Sequence, residues 1–303
     1  MKRKLLLGAA ALAVLNARPA LAWDDFGHSL VARIAWENMT PQARARAVEI
    51  LRGAPSGSGL GRGFPPGTLS PEQQVRLFVS AATWPDDIKS GGHPGHRFDN
   101  RNRHFVNLFW EQRFDFGPIR ASSRAPFGEL LNDLPRLRTA LTGSDRGEAA
   151  MALAWILHLV GDVHQPLHSS SRITPLDRDG DRGGNDFGVR GSTDNLHSFW
   201  DGVVTRSRRC RPGEAPQPCL ARVAQEIAGD HPRDGFAAQL ASVDFRAWAD
   251  EGLRLAQRTV YRAPLRRNRF VPASYERRAA ATADAQVALA GYRLADLLNR
   301  AIG

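Results

Sequence analysis

The run Arg146-Gly-Glu-Ala-Ala-Met-Ala-Leu-Ala-Trp155-Ile-Leu-His158-Leu-Val-Gly-Asp162-Val-His164-Gln-Pro166-Leu-His168 decides how this chain folds. Up to Val163 it is nearly all apolar, so a helix here has no solvent face and belongs at the centre of a core. His158 and Asp162 interrupt it four residues apart. On a helix, positions i and i+4 share one face, with Cβ atoms about 5–6 Å apart. That spacing lets an imidazole and a carboxylate meet one cation. His164 falls about 240° round the helix from His158, counting about 100° per residue, and reads as a packing histidine. Pro166 cannot continue the helix, so it should end or kink the element and re-aim His168.

Further along, Asn195-Leu-His197-Ser-Phe-Trp-Asp201 repeats the four-residue His/Asp spacing. Upstream lie Trp84-Pro85-Asp86 and His104-Phe105-Val106. Imidazole nitrogen and carboxylate oxygen suit zinc without any thiolate. One such pair is as well explained by an ion pair or a helix cap. Two pairs, with His104, His168 and Asp86 added, form a ligand-rich cluster. His93 and His96 sit in a Gly/Pro-rich stretch and read as loop residues, as does His231 before a proline. Asp87 should point away from Asp86, and Trp155, Phe199 and Trp200 read as core.

The N-terminus adds a processing signal. Met1-Lys2-Arg3-Lys4, the apolar run Leu5 to Leu15 and Ala20-Leu21-Ala22 have the order of a basic region, a hydrophobic region and a small-residue cleavage site. Residues 1–22 are therefore read as a signal peptide and 23–303 as the mature domain, secreted or periplasmic. Cleavage frees the α-amino group of Trp23, which with its carbonyl oxygen can chelate a metal. His28 follows five positions later.

These motifs resemble the zinc-dependent family that joins the fungal and plant single-strand nucleases (P-one and S-one type) to bacterial phospholipases C. The resemblance runs in order from residue 23 to about 202 and fills nine ligand positions: Trp23, His28, Asp86, His104, His158, Asp162, His168, His197 and Asp201. It implies a mainly helical fold with three zincs in a cleft. One zinc would sit on Asp86, His104, His158 and Asp162, and a second on His168, His197 and Asp201. The third would use the Trp23 amine and carbonyl, His28 and a bridging Asp162. Three Zn²⁺ against three carboxylates leave +3, a charge that attracts phosphate. The resemblance also implies that Phe105 stacks on a base at the scissile phosphate. Stacking suits unpaired bases, whose faces are exposed. Fungal members carry aspartate three residues after the second-motif histidine, where it orients water. This chain has Asn107, which can hydrogen-bond but cannot accept a proton.

Length and composition fit one exported domain. The chain has 303 residues, or 303 − 22 = 281 after cleavage. Formal net charge is +10, and removing Lys2, Arg3, Lys4 and Arg18 leaves +6. The basic residues are overwhelmingly arginine, whose fork matches phosphate oxygens; an arginine-rich composition bias accounts for the same count. Nothing past the leader approaches ~20 uninterrupted apolar residues, so no transmembrane span or stable membrane insertion is expected. Cys210 and Cys219 could belong to a metal site. With no histidine between them, a disulfide is the expectation in an exported chain.

Helical periodicity dominates. Helices are expected over Asp25–Met39, from Thr40-Pro41 to near Gly53, from Ser70-Pro71 toward Trp84, over Phe127–Leu141 and Arg146–His164, from Asn195, and over roughly 220–230, 236–261 and 275–301. Residues 53–68 and 172–194, the latter with Asp181-Arg-Gly-Gly-Asn185, read as loops, the second lying over the site. Strand alternation is scarce, and no repeat or linker divides the chain. One all-α domain, acting as a monomer, is expected.

Three functions compete. The first is a phosphodiesterase on single-stranded DNA and RNA that leaves 5′-phosphates, with 3′-nucleotidase activity. The second is phospholipase C action on choline-type lipids. The short Trp23-to-His28 spacing and an aspartate at 201 match the nuclease branch of the resemblance; the phospholipases have a longer insert and glutamate. The third, a non-catalytic zinc-stabilised binding protein, gives no reason for a full ligand set around an open site.

Overall fold

Asp24, Thr40, Ser70, Asp145, Asn195 and Asp244 each precede a helix and each accept a backbone N–H of its first turn. A side-chain oxygen there satisfies one of the N–H groups the helix cannot pair internally. Pro41 and Pro71 follow two of these caps at the first helical position, where a missing N–H costs nothing. The computed structural model describes residues 23–303, so the stretch read as a signal peptide lies outside the described residues.

The helices in chain order are α1 Asp25–Asn38, α2 Pro41–Leu51, α3 Pro71–Asp87, α4 Leu130–Leu141, α5 Arg146–His164, α6 Leu196–Asp201, α7 Val203–Ser207, α8 Pro216–Asp230, α9 Ala237–Leu240, α10 Phe245–Leu255 and α11 Ala273–Ile302. Three short strands, β1 Phe109–Glu111, β2 Arg120–Ala121 and β3 Ser171–Ile173, form one small sheet in the order β2-β1-β3. β1 runs antiparallel to β2 and parallel to β3, with Trp110 opposite both Ala121 and Arg172. The fold is all-α with this one sheet as an accessory, as the scarcity of alternation implies.

α5 is the axis. Leu153, Ile156, Leu157, Leu159, Val160 and Val163 are all fully buried. α1, α2, α3, α4, α10 and α11 surround it. α1 packs closely on α11 at Gly291, where an added Cβ would stand 2.5 Å from Ile34 Cγ2 and 2.7 Å from Ile34 Cβ. Gly291→Val is therefore expected to force the two helices apart and cost about 1–3 kcal/mol. A thermal melt showing an unchanged Tm would refute that account of the crossing.

α3 starts after Ser70 and runs toward Trp84 as expected, continuing through Pro85 to Asp87. Three sequence expectations are corrected. α4 begins at Leu130, because Phe127 pairs with Asn107 as an isolated bridge and Gly128 has φ 112°. The stretch 236–261 is not one helix. Asp244 starts α10 afresh by accepting from Arg246 and Ala247, and residues 256–260 widen to a π-turn. β3 opens the segment read as loop from 172. Cys210 and Cys219 form a disulfide. Among the described residues no helix is long and apolar enough to cross a membrane.

Candidate metal centre

α5 carries His158 and Asp162 on one face, both fully buried. Gly161 between them lets α1 approach: a Cβ there would meet His28 Nδ1 at 2.7 Å. His28 accordingly stacks on His158 with ring centroids 3.8 Å apart. α3 brings Asp86, and the turn after residue 100 brings His104. The structure thus builds a first cluster from two overlapping groups that share His158: His28, Asp86 and His158, and His104, His158 and Asp162. A second cluster of His168, His197 and Asp201 lies beside it, with ligand atoms within 4.8 Å of one another. His168 gets there because α5 ends at His164 and Pro166 opens a short 3₁₀ turn.

The dimensions of the first cluster are those of a cation. His104 Nδ1 lies 3.0 Å from His158 Nε2 and 3.1 Å from Asp162 Oδ2. His158 Nε2 lies 3.3 Å from Asp162 Oδ2 and 3.5 Å from Asp86 Oδ1, and His104 Nδ1 lies 3.8 Å from that oxygen. A tetrahedral zinc with ligand bonds of about 2.0–2.1 Å sets its ligands about 3.3 Å apart. Asp162 faces two ways: Oδ2 meets His104 and His158, while Oδ1 points to His28 Nε2 at 3.3 Å. Several of these buried atoms have no protein partner, including both ring nitrogens of His28, His168 Nε2, Asp162 Oδ1 and Asp201 Oδ2. Buried polar atoms are normally paired, so this set fits a metal.

Backbone carbonyls fix the tautomers. His158 Nδ1 donates to Ala82 O at 2.7 Å, His168 Nδ1 to His104 O at 2.6 Å, and His197 Nδ1 to Gly183 O at 2.7 Å. A carbonyl only accepts, so each Nδ1 carries the proton and each Nε2 presents a lone pair. Gly183 is required here. Its φ is 62°, and a Cβ would stand 2.3 Å from Leu167 O. Its loop is anchored by Asp181, which accepts from the Tyr261 hydroxyl at 2.6 Å and the Arg172 N–H at 2.9 Å.

Burial pushes His158 and His197 down to about 3, so both are neutral donors at pH 7. Burial opposes the charge on Asp86, but His158, Lys89 and His104 outweigh it and hold the carboxyl at about 2. Asp162 is likewise held well below the usual carboxylate range, burial being overcome by His158, by the hydrogen bond with His104 and by the nearby His28 ring. Burial, only partly offset by the Gln165 hydrogen bond, pushes Asp201 well above that range. A neighbouring cation reverses that logic.

The remaining residues separate cleanly. His164 is buried against Trp248, bonded to Val160 O and to the Arg293 guanidinium, and belongs to neither cluster. His93 and His96 turn to backbone groups of their own loop and of Ile88. Asp87 is exposed, and Trp155, Phe199 and Trp200 are core. Trp23 is buried, its indole N–H donating to Gly161 O at 3.0 Å. Phe105 and Asn107 line a cleft of about 1240 Å³ that opens over His104, His168 and His197. The sequence reading missed Lys89, which lines the same cleft and places its ammonium 2.5 Å from Asp86 Oδ1. The signal was present, since Lys89 is the only lysine after residue 22. The walls carry Arg101, Arg124 and Arg182 beside Asp179, Asp186 and Asp194, with Arg124 paired to Asp179 and Arg182 to Asp186.

Fold and site together define a helical protein whose central buried helix carries His158 and Asp162 of one His/Asp cluster, with a second cluster of His168, His197 and Asp201 beside it at the base of a cleft. A family model described as S1/P1 Nuclease matches residues 23–303, and the chain belongs to that family. Nuclease S1 of Aspergillus oryzae is 29% identical over 208 residues, covering 66% of this chain and 60% of that protein. Nuclease P1 of Penicillium citrinum is 29% identical over 181 residues, covering 59% of this chain and 57% of its own length. Endonuclease 4 of Arabidopsis thaliana is 26% identical over 198 residues, covering 62% and 57%. The chain thus spans about six-tenths of the length of these curated relatives.

Proposed function

We propose that the chain is an exported zinc phosphodiesterase that cuts single-stranded DNA and RNA, leaves 5′-phosphorylated products and acts on 3′-nucleotides. The observation that carries this reading is the doubly facing Asp162, buried against His104, which lines an aromatic-containing cleft. Zinc would be held by Asp86, His104, His158 and Asp162, by His168, His197 and Asp201, and by His28, Asp162 and the Trp23 terminus freed after Ala22. The family match beginning at Trp23 supports that processing point. Bound zinc supplies Lewis acidity toward phosphoryl oxygen and a lowered pKa for water.

The chain's own groups do the rest. Lys89, paired with Asp86 and reaching the cleft lining, would offer an ammonium to a phosphoryl group bound there. Asn107 holds water by hydrogen bonds and takes no proton, so this chain lacks the carboxylate implied at that position in the fungal nucleases. Arg101, Arg124 and Arg182 raise the local concentration of a polyanion. Phe105 offers a ring face to an unpaired base. The nucleases among its relatives favour this substrate over choline lipids.

The test is product analysis with one zinc-loaded preparation on single-stranded DNA, duplex DNA and phosphatidylcholine. Single strands should be cut much faster than duplex, since freeing a base costs a few kcal/mol, and products should carry 5′-phosphate. Phe105→Ala should raise KM for oligonucleotides with zinc content intact. Equal rates on duplex and single strand would reject stacking, and phosphatidylcholine hydrolysis without nuclease activity would replace the reading.

A further inference from the structure

Phe127 lines the cleft with its side chain left 56% exposed. Burying a phenylalanine is worth about 1.5–3 kcal/mol, yet the backbone holds this ring in the open. Asn107 N–H donates to Phe127 O at 2.6 Å and Phe127 N–H returns to Asn107 O at 3.3 Å. The next residue makes this docking possible. Gly128 has φ 112°, and a Cβ there would stand 2.3 Å from Phe105 O and 2.9 Å from Phe105 Cδ2. Only glycine lets the Phe127 segment lie against Phe105. The two rings end 5.9 Å apart, tilted 47° to each other.

That spacing leaves no room for one base between the two rings, and the tilt turns their open faces in different directions. Nucleotides stacked in a duplex rise about 3.4 Å each. Two platforms 5.9 Å apart and tilted would hold neighbouring bases splayed, which is how single strands are bound on aromatic side chains. The same wall carries charge for the linking phosphates. Arg124, three residues before Phe127, lays its guanidinium 5.1 Å over the Phe109 ring and is tied to Arg178 O and Asp179 Oδ1 at 3.2 Å each. Held this way, the guanidinium is positioned on the cleft lining as an ion pair with the exposed Asp179 carboxylate, which a linking phosphate would have to displace.

We propose that Phe127 is a second base-binding platform, seating the base adjacent to the one on Phe105, so that the preferred substrate is an unpaired run of two or more nucleotides. This rests on the nuclease reading of the cleft.

The experiment compares the zinc-loaded wild type with Phe127→Ala, Phe127→Tyr and Phe105→Ala. One readout is KM for an oligothymidylate; the other is the inhibition constant of thymidine 5′-monophosphate, which occupies the Phe105 platform alone. Phe127→Ala should raise KM about tenfold, the lower part of the range for one stacked base, and leave the mononucleotide constant unchanged. Phe127→Tyr should restore KM. Phe105→Ala should weaken both. An unchanged KM in Phe127→Ala would overturn the second platform. A parallel loss of oligonucleotide and mononucleotide binding would also overturn it, by showing that Phe127 only props Phe105. If the wild type cuts no single strand, the nuclease reading itself falls, a result that cannot be confused with either.

Discussion

Asp162→Asn is expected to release more than one zinc and to lower kcat/KM by at least about 10³-fold, the upper range for losing a single electrostatic group at a reacting centre. The reason is the geometry of one side chain. Oδ2 of Asp162 meets His104 at 3.1 Å and His158 at 3.3 Å, and Oδ1 meets His28 at 3.3 Å. An asparagine keeps one oxygen and turns an NH₂ group toward the other set of ligands, where it presents hydrogens instead of a lone pair. It also removes a full charge from a fully buried position. Asp86→Asn and Asp201→Asn each serve one cluster and should cost one zinc. Because binding to these buried groups is also folding energy, chelation should lower Tm in the wild type and shift it less in Asp162→Asn. Elemental analysis and a melt on the same samples decide the matter. Three zincs retained at near-normal rate would show that Asp162 bridges nothing.

Much of this site was legible because helix periodicity fixes which residues share a face. His158 and Asp162 on α5, and His197 and Asp201 on α6, needed only a count of four and an apolar background. Pro166 announced the turn that carries His168 to the second cluster. What sequence could not show is what orients these side chains. The acceptors are the carbonyls of Ala82, His104 and Gly183, and a backbone carbonyl leaves no mark in a residue name. Glycines were partly readable: Gly183 stood out in Asp181-Arg-Gly-Gly-Asn185, but Gly161 inside a helix gave no hint that it admits His28. Phe127 was absorbed into a helix expected from 127 to 141, since its pairing with Asn107 is a long-range contact. Lys89 was missed although it stands alone as a lysine among arginines. An ammonium is a compact point charge and a guanidinium a planar fork, and the single departure from arginine at position 89 was the clue.

Any residue left ahead of Trp23 should cost one zinc and most of the activity, on the order of 10²-fold. The backbone here is held tightly. The Trp23 indole donates to Gly161 O on α5, and the N–H of Asp24 donates to Asp201 O at 3.1 Å. Asp24 also caps α1 and accepts from the Thr205 hydroxyl at 2.7 Å. Residue 23 is thus pinned beside both clusters, and its nitrogen has little freedom to move away. As a free amine that nitrogen has a lone pair for a cation alongside His28 and Asp162. As an amide its lone pair is delocalised into the preceding carbonyl, so it ligates poorly, and the added chain must leave through the same crowded corner. Protein carrying Met or a tag directly before Trp23 should stay folded on the two remaining zincs and turn over slowly, while a tag after the exposed Gly303 should change nothing. The comparison is zinc content and kcat/KM for the extended, the processed and the C-terminally tagged protein. An extended form that holds three zincs and turns over normally would remove Trp23 from the ligand set and leave His28 and Asp162 to complete that corner without it.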